Sequence, residues 1–272
     1  MELAHLDIVR IPVWEEFPWL RHGFSTRTGG FSTVYSDAGD LNLGFTPDDD
    51  PERVLANREA FLRSVAIDDS AGLVAIRQVH GTAVKLVARG EPGLSTQDGR
   101  AVVEADGLMT AAPGAMLAVQ AADCVPVLVA DTRRRVVAAF HAGWRGTAAG
   151  IVEQGVAKIV AEFGSDPGDM VGAVGPSIGA CCYAVGEEVR ERFGARFSYA
   201  AEMFSEREDG LHVDLAEANR RQLLGAGLPD TAVVVVGECT ACSRVEGRRK
   251  YFSHRAESGF TGRAMGMIGI AT

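Results

Sequence analysis

Two apolar runs, residues 125–131 and 136–141, stand on either side of Thr132-Arg133-Arg134-Arg135. So short a polar break suits a tight turn, and the pair reads as an antiparallel hairpin with three solvated arginines at its tip. Further strand-like runs cover residues 8–14, 73–79, 82–88, 116–121, 170–175 and 231–236. They are short, rich in Val and Ala, and bounded by Gly, Pro or Asp. Three helices stand among them. The first opens at Asp50-Pro51-Glu52, a capping side chain followed by proline at the first helical position, with Val54, Leu55, Phe61, Leu62 and Val65 on one side. The second is expected over residues 147–163, with Val152, Val156, Ile159 and Phe163 at helical steps. The third runs over residues 214–224 and ends before Gly225 and Gly227. Some strands form hairpins and others are separated by helices. That mixture favours an α+β fold with a mixed sheet over a doubly wound parallel one.

The chain has 272 residues, of which 47% are hydrophobic, enough for a large core in one domain. Its 27 Lys and Arg against 36 Asp and Glu leave a formal charge of −9, which argues against a nucleic-acid platform. Six histidines are too few for a four-copper oxidase, which needs roughly ten imidazoles. The five cysteines are an odd set that includes the adjacent Cys181 and Cys182, unlike a secreted disulfide framework. Residues 1–7 have neither a basic start nor an apolar stretch. The longest uncharged runs, 107–122 and 170–186, are broken by Pro and Gly, so no membrane helix is expected. The chain reads as a cytoplasmic protein.

Three segments carry a metal-competent side chain where an apolar run ends among small residues. They are Gln78-Val79-His80-Gly81, Ala122-Asp123-Cys124-Val125-Pro126 and Phe140-His141-Ala142-Gly143-Trp144-Arg145-Gly146. Two imidazoles and one thiolate make a three-ligand set with a fourth tetrahedral position for water or substrate, the pattern of catalytic zinc. The spacings, 44 residues from His80 to Cys124 and 17 more to His141, match no local zinc-finger pattern, so the fold must bring the strands together. The hairpin can place Cys124 beside His141. The same two groups could instead form a thiolate–imidazole pair for acyl transfer, with Asp123 orienting a ring or steering a substrate amine. Either use needs a deprotonated sulfur.

Anions have several candidate partners. Ser25-Thr26-Arg27-Thr28-Gly29-Gly30 offers hydroxyls, a guanidinium and glycine amides, and Arg145 stands where the second helix begins. Residues 243–255 carry five Lys or Arg against one Glu. The dinucleotide fingerprint and the Walker phosphate loop are both absent. Cys239-Thr240-Ala241-Cys242 is a single Cys-x-x-Cys without a second pair and reads as packing or weak redox chemistry.

These segments, in chain order with Leu41-Asn42-Leu43-Gly44, Asn57-Arg58, Ala105-Asp106-Gly107, Gly175-Pro176-Ser177-Ile178-Gly179 and Thr261-Gly262-Arg263, resemble the YfiH-like, laccase-domain-containing family over about residues 22–270. Ala256 departs from the pattern, standing where a further basic residue is common. The resemblance implies one α+β domain spanning residues 1–272, with two mixed sheets flanked by helices. It also implies zinc held by His80, Cys124 and His141, with copper as a further possibility. The implied activity is phosphorolysis of purine nucleosides (adenosine, inosine and methylthioadenosine) with adenosine deamination as a second reaction. Expected partners are therefore a nucleoside and phosphate. In that reading Arg27 and Arg145 position phosphate, and Asp123 moves a proton. Two alternatives stand beside it. One is an amide hydrolase that edits a muramyl peptidoglycan precursor through Cys124 and His141 or through zinc-activated water. The other is copper-dependent phenol oxidation as a side activity.

Overall fold

Side chains alternate along the central strands, and that alternation sets the layering. On the strand Ala115–Ala121, Leu117 and Val119 enter one core while Met116 and Ala118 enter another. On Val125–Asp131, Leu128 and Ala130 share the core of Leu117, whereas Val125, Val127 and Val129 face the opposite way. The neighbouring strand Val136–Ala142 splits its residues the same way. A period of two thus gives each strand two buried faces, and the chain must supply three cores.

The computed structural model describes residues 6–91 and 94–272. His5 and the first residues of the N-terminal stretch expected to lack a targeting signal lie outside the described residues. Two mixed sheets pack face to face. The five-stranded one has the order Ile8–Val9, Leu20–Ser25, Ala264–Ile270, Ala115–Ala121, Gly72–Ala75, with only the last pair parallel. The six-stranded one has the order Val233–Val235, Met170–Val174, Val125–Asp131, Val136–Ala142, Gly107–Thr110, Val84–Leu86. Its outermost pairs are parallel and its inner pairs antiparallel. Helix α1 (Pro51–Ala66) covers the outer face of the first sheet through Ala60, Phe61 and Val65. Helices α2 (Trp144–Ala148), α3 (Ile151–Phe163), α4 (Glu187–Gly194) and α5 (Leu215–Gly225) cover the outer face of the second. The result is the expected α+β domain of mixed sheets flanked by helices, in four layers. None of the described helices is long and apolar enough to cross a membrane.

The local signals behave as their chemistry dictates, with four exceptions. Asp50 accepts from the Glu52 amide at 2.9 Å and caps α1, and Asp214 caps α5 from the Glu217 amide at 2.9 Å. The hairpin closes with Asp131 opposite Val136 around residues 132–135. The helix expected over 147–163 is instead broken into α2 and α3 at Gly150, whose φ of 79° is left-handed and ends the i→i−4 ladder. Residues 8–14 yield only the short strand Ile8–Val9, because Pro12 lacks an amide and opens the 3-10 turn Pro12–Glu16. Helix α4 carried little apolar signal, since only Val189 and Phe193 anchor it. The strand Ala264–Ile270 was masked by Gly266 and Gly269, yet it lies between two partners in the middle of its sheet.

His22, on the Leu20–Ser25 strand, is held neutral inside the fold. Its Nε2 accepts from the Ile11 amide at 2.9 Å, and Trp14 packs edge-on at 4.8 Å. Burial, reinforced by Arg10, pushes its pKa down to about 4. The unfolded chain, with a histidine pKa near ~6.5, therefore binds this proton more readily. The associated stability is complete above pH ~6.5 and is lost as pH falls towards 4, by about 3 kcal/mol in total. Urea unfolding of wild type and His22→Gln across that window checks this: the substitution should flatten the decline. Parallel curves for the two proteins would refute it.

Candidate metal centre

The centre is assembled by strand register. Pro126 pairs with His141 and Val125 with Ala142, so Cys124 arrives directly across from Gly143. A Cβ at Gly143 would lie 3.0 Å from both Cys124 Sγ and His80 Cδ2, so any larger residue there would push on both side chains. His80 comes from a different part of the chain, on a turn where its φ is 61°. That turn is gripped by one carboxylate. Asp106 accepts from the amides of Val79 at 3.2 Å, His80 at 2.9 Å and Gly81 at 2.7 Å. It also accepts from His141 Nδ1 at 2.9 Å, so Nε2 is the ring nitrogen left to face a metal.

The ligand atoms of His80, Cys124 and His141 lie within 4.8 Å of one another, and the two rings meet edge to face at 4.9 Å. Burial opposes ionisation of the Cys124 thiol, but His141 and His80 outweigh it and bring the pKa down to about 6. Burial likewise opposes the imidazolium of His141, yet Cys124 and Asp106 push it up to about 9. Asp106 is held below the usual carboxylate range because its hydrogen bonds outweigh its burial. A soft sulfur, two oriented imidazoles and a carboxylate behind one of them fit a zinc ion, and the same donors also suit copper.

The group opens on a cleft of about 740 Å³. Six arginines line it (Arg58, Arg77, Arg100, Arg145, Arg255 and Arg263), while Asp123 is the only carboxylate among the described lining residues. Arg77 is paired with Glu104 and Arg100 with Asp98. Among the described residues the other four arginines form no ion pair. Arg58 lies over Phe45 at 4.3 Å, Arg145 over Trp144 at 4.5 Å and Arg255 over Tyr183 at 5.1 Å. The local field is cationic although the chain as a whole is acidic.

The structure thus brings His80, Cys124, His141, Asp123 and Arg145 to one cleft. Asp123 has a left-handed φ of 90°, accepts from Thr240 Oγ1 at 2.7 Å and accepts from the Arg255 amide at 2.7 Å. Arg27 is not brought there. The residue is 7% exposed, and its guanidinium pairs with Asp40 at 3.0 Å and Glu257 at 2.5 Å and stacks over Phe252. With its charge already answered, it ties loops together outside the cleft. Sequence reasoning assigned no role to Asp106, Arg58, Arg263 or Tyr183. The first three lie in short motifs, Ala-Asp-Gly, Asn-Arg and Thr-Gly-Arg, but nothing in those motifs says which cavity they face. Removing the Asp106 carboxylate should weaken zinc binding about 10–100-fold in Asp106→Ala, measured by competition with a chromogenic chelator. An affinity equal to wild type would show that the His141 hydrogen bond plays no part in holding the metal.

Residues 21–271 match the family model described as multi-copper polyphenol oxidoreductase laccase. A purine nucleoside phosphorylase of Deinococcus radiodurans is 39% identical over 92% of this chain and 88% of its own. The adenosine deaminase RL5 of an unknown prokaryotic organism is 33% identical over 85% of this chain and 87% of its own. The crystal structure of Bacillus licheniformis hypothetical protein YfiH superposes with a TM-score of 0.87 at 33% identity, covering 98% of both chains. The segments that suggested the resemblance and the fold that carries them agree with these likenesses, and the chain belongs to the YfiH-like, laccase-domain family.

Proposed function

We propose that the cleft carries out metal-assisted phosphorolysis of purine nucleosides such as adenosine, inosine and methylthioadenosine, with adenosine deamination as a second reaction. The observation that carries this reading is the meeting of a His/Cys/His donor set and an arginine-rich wall in one cleft of about 740 Å³. That volume suits a small ligand of nucleoside size. The names of the relatives from Deinococcus radiodurans and of RL5 support the same two reactions. His80, Cys124 and His141 would hold zinc, which when bound supplies Lewis-acid polarisation of an oxygen at that end of the cleft.

Phosphorolysis requires a phosphate oxygen to be held against ribose C1′ while the bond to the purine nitrogen breaks. Arg145, exposed on the cleft and without a carboxylate partner among the described residues, takes the phosphate, and Arg58 and Arg263 add cationic surface. Burial pushes the Tyr183 hydroxyl up to about 12, so it stays protonated and can donate to a purine ring nitrogen. Asp123 is the carboxylate available to take a proton during deamination, and its Thr240 and Arg255 partners fix where its oxygens point.

The depressed Cys124 thiol beside His141 favours one second reading, a nucleophile–base pair for hydrolysis of a muramyl amide. Activity that survives complete chelation would favour that pair. Copper-dependent phenol oxidation fits the donor set only as a slow side reaction. Of the other described imidazoles, His22 accepts from the Ile11 amide and His212 is engaged by Asp209 and the Ala180 carbonyl, which leaves His254 on the cleft wall, too few for a multi-copper cluster.

Zinc-loaded protein given inosine and phosphate should release hypoxanthine and ribose 1-phosphate. Arg145→Ala should raise the KM for phosphate by about tenfold or more, and Cys124→Ala should abolish turnover. Base release that ignores phosphate, or that is unchanged in Cys124→Ala, would sink the proposal.

A further inference from the structure

The four cysteines outside the metal centre converge, although one pair is some 60 residues from the other in the chain. Cys181 and Cys182 lie on a turn where the Cys182 and Tyr183 amides donate to the Gly179 carbonyl at 2.9 and 3.1 Å. Cys239 and Cys242 lie on a second turn, closed by the Ser243 amide donating to the Cys239 carbonyl at 2.9 Å. The turns are bound to each other: the Thr240 amide donates to the Ser177 carbonyl at 3.0 Å, and the Ser177 amide to the Glu238 carbonyl at 3.3 Å. As a result all four sulfurs lie within 4.8 Å of one another, with Cys181 and Cys242 Sγ 3.7 Å apart.

That spacing suits a shared metal ion. Four thiolates about 2.3 Å from a tetrahedral zinc ion stand about 3.8 Å from each other. A disulfide would need about 2.05 Å, and all four cysteines are free. Apolar packing accounts only for Cys239 and Cys182, which lie against Ile178 and Ala241, and leaves the exposed Cys181 and Cys242 unexplained. The Gly179 amide donates to Cys239 Sγ at 3.2 Å, the kind of backbone bond that stabilises a thiolate. We propose that Cys181, Cys182, Cys239 and Cys242 form a second, tetrathiolate metal site that takes one thiophilic divalent ion, Zn²⁺. Four protein ligands close the coordination sphere, so the site is structural.

Its position gives it a task. Tyr183, on the cleft wall, directly follows Cys182. Thr240, between the two cysteines of the other turn, donates to Asp123 at 2.7 Å. The ion staples together the two turns that set Tyr183 and Asp123, whatever reaction the cleft performs. It shares no ligand with the His80/Cys124/His141 group.

The test is metal content together with the cobalt spectrum of protein prepared under reducing conditions. Wild type should hold about two zinc ions per chain, and both His80→Ala/His141→Ala and Cys181→Ser/Cys242→Ser about one. If the first centre holds no metal, wild type and the histidine variant should each hold about one, and the second site still stands. Cobalt(II)-loaded wild type and histidine variant should show the intense charge-transfer absorption of a tetrathiolate ion, and the cysteine variant should lack it. If the cysteine variant fails to fold, the cobalt spectrum of the histidine variant decides the matter, because the first centre with its Cys124 thiolate is disabled there. Absence of that absorption in wild type would overturn the site, as would zinc content unaffected by the cysteine substitutions. A Cys181–Cys242 disulfide in the reduced preparation would also overturn it.

Discussion

The Asp106 carboxylate is the point on which the metal centre depends. Fully buried, it gathers the amides of Val79, His80 and Gly81 and the Nδ1 of His141. Hydrogen bonds to a charged group contribute about 1.5–3 kcal/mol each, which offsets both the burial of the charge and the left-handed backbone at His80. Backbone pairing brings residues 104–107 beside both segments, through the Arg77–Glu104 bridge and the Gly107–Phe140 pair, and the one carboxylate then orients one imidazole while placing the other. Without it, the amides of Val79, His80 and Gly81 would lose their shared acceptor, and the turn would be held only at its two ends, by Gln78 with Gln120 and by Ala83.

Around that point the fold supplies rigidity. The hairpin strands Val125–Asp131 and Val136–Ala142 are buried on both faces, so their register cannot slip without moving a whole apolar set into the wrong core. Cys124 and His141 inherit this precision because both sit at the same end of the hairpin. Ligands carried by flexible loops would hold a metal far less exactingly.

Charge follows a similar logic of local against global. A formal charge of −9 describes the whole surface, whereas the cleft is lined by six arginines and one carboxylate. An anionic substrate experiences the nearby groups, because exposed charges beyond a Debye length of about 8 Å are largely screened. Four of the six cleft arginines form no ion pair among the described residues, while Arg27, answered by Asp40 and Glu257, serves the scaffold.

The α+β class, the hairpin, the cap of α1, the span of α5, and the residue types of His80, Cys124 and His141 as possible metal donors were legible in the sequence. Each rests on a local rule: alternation, a capping side chain, or the chemistry of one residue type. The break at Gly150, the central strand Ala264–Ile270 and the role of Asp106 were not legible, because each depends on what packs against the segment. The four remaining cysteines make the same point. As a lone Cys-x-x-Cys and an adjacent pair they suggested packing or weak redox chemistry, and only the pairing of two turns puts their sulfurs within 4.8 Å. By itself the sequence determined which atoms could bind a metal or an anion. The tertiary structure alone decided which of them meet, because long-range strand register and buried hydrogen bonds, not chain neighbours, set the distances between them.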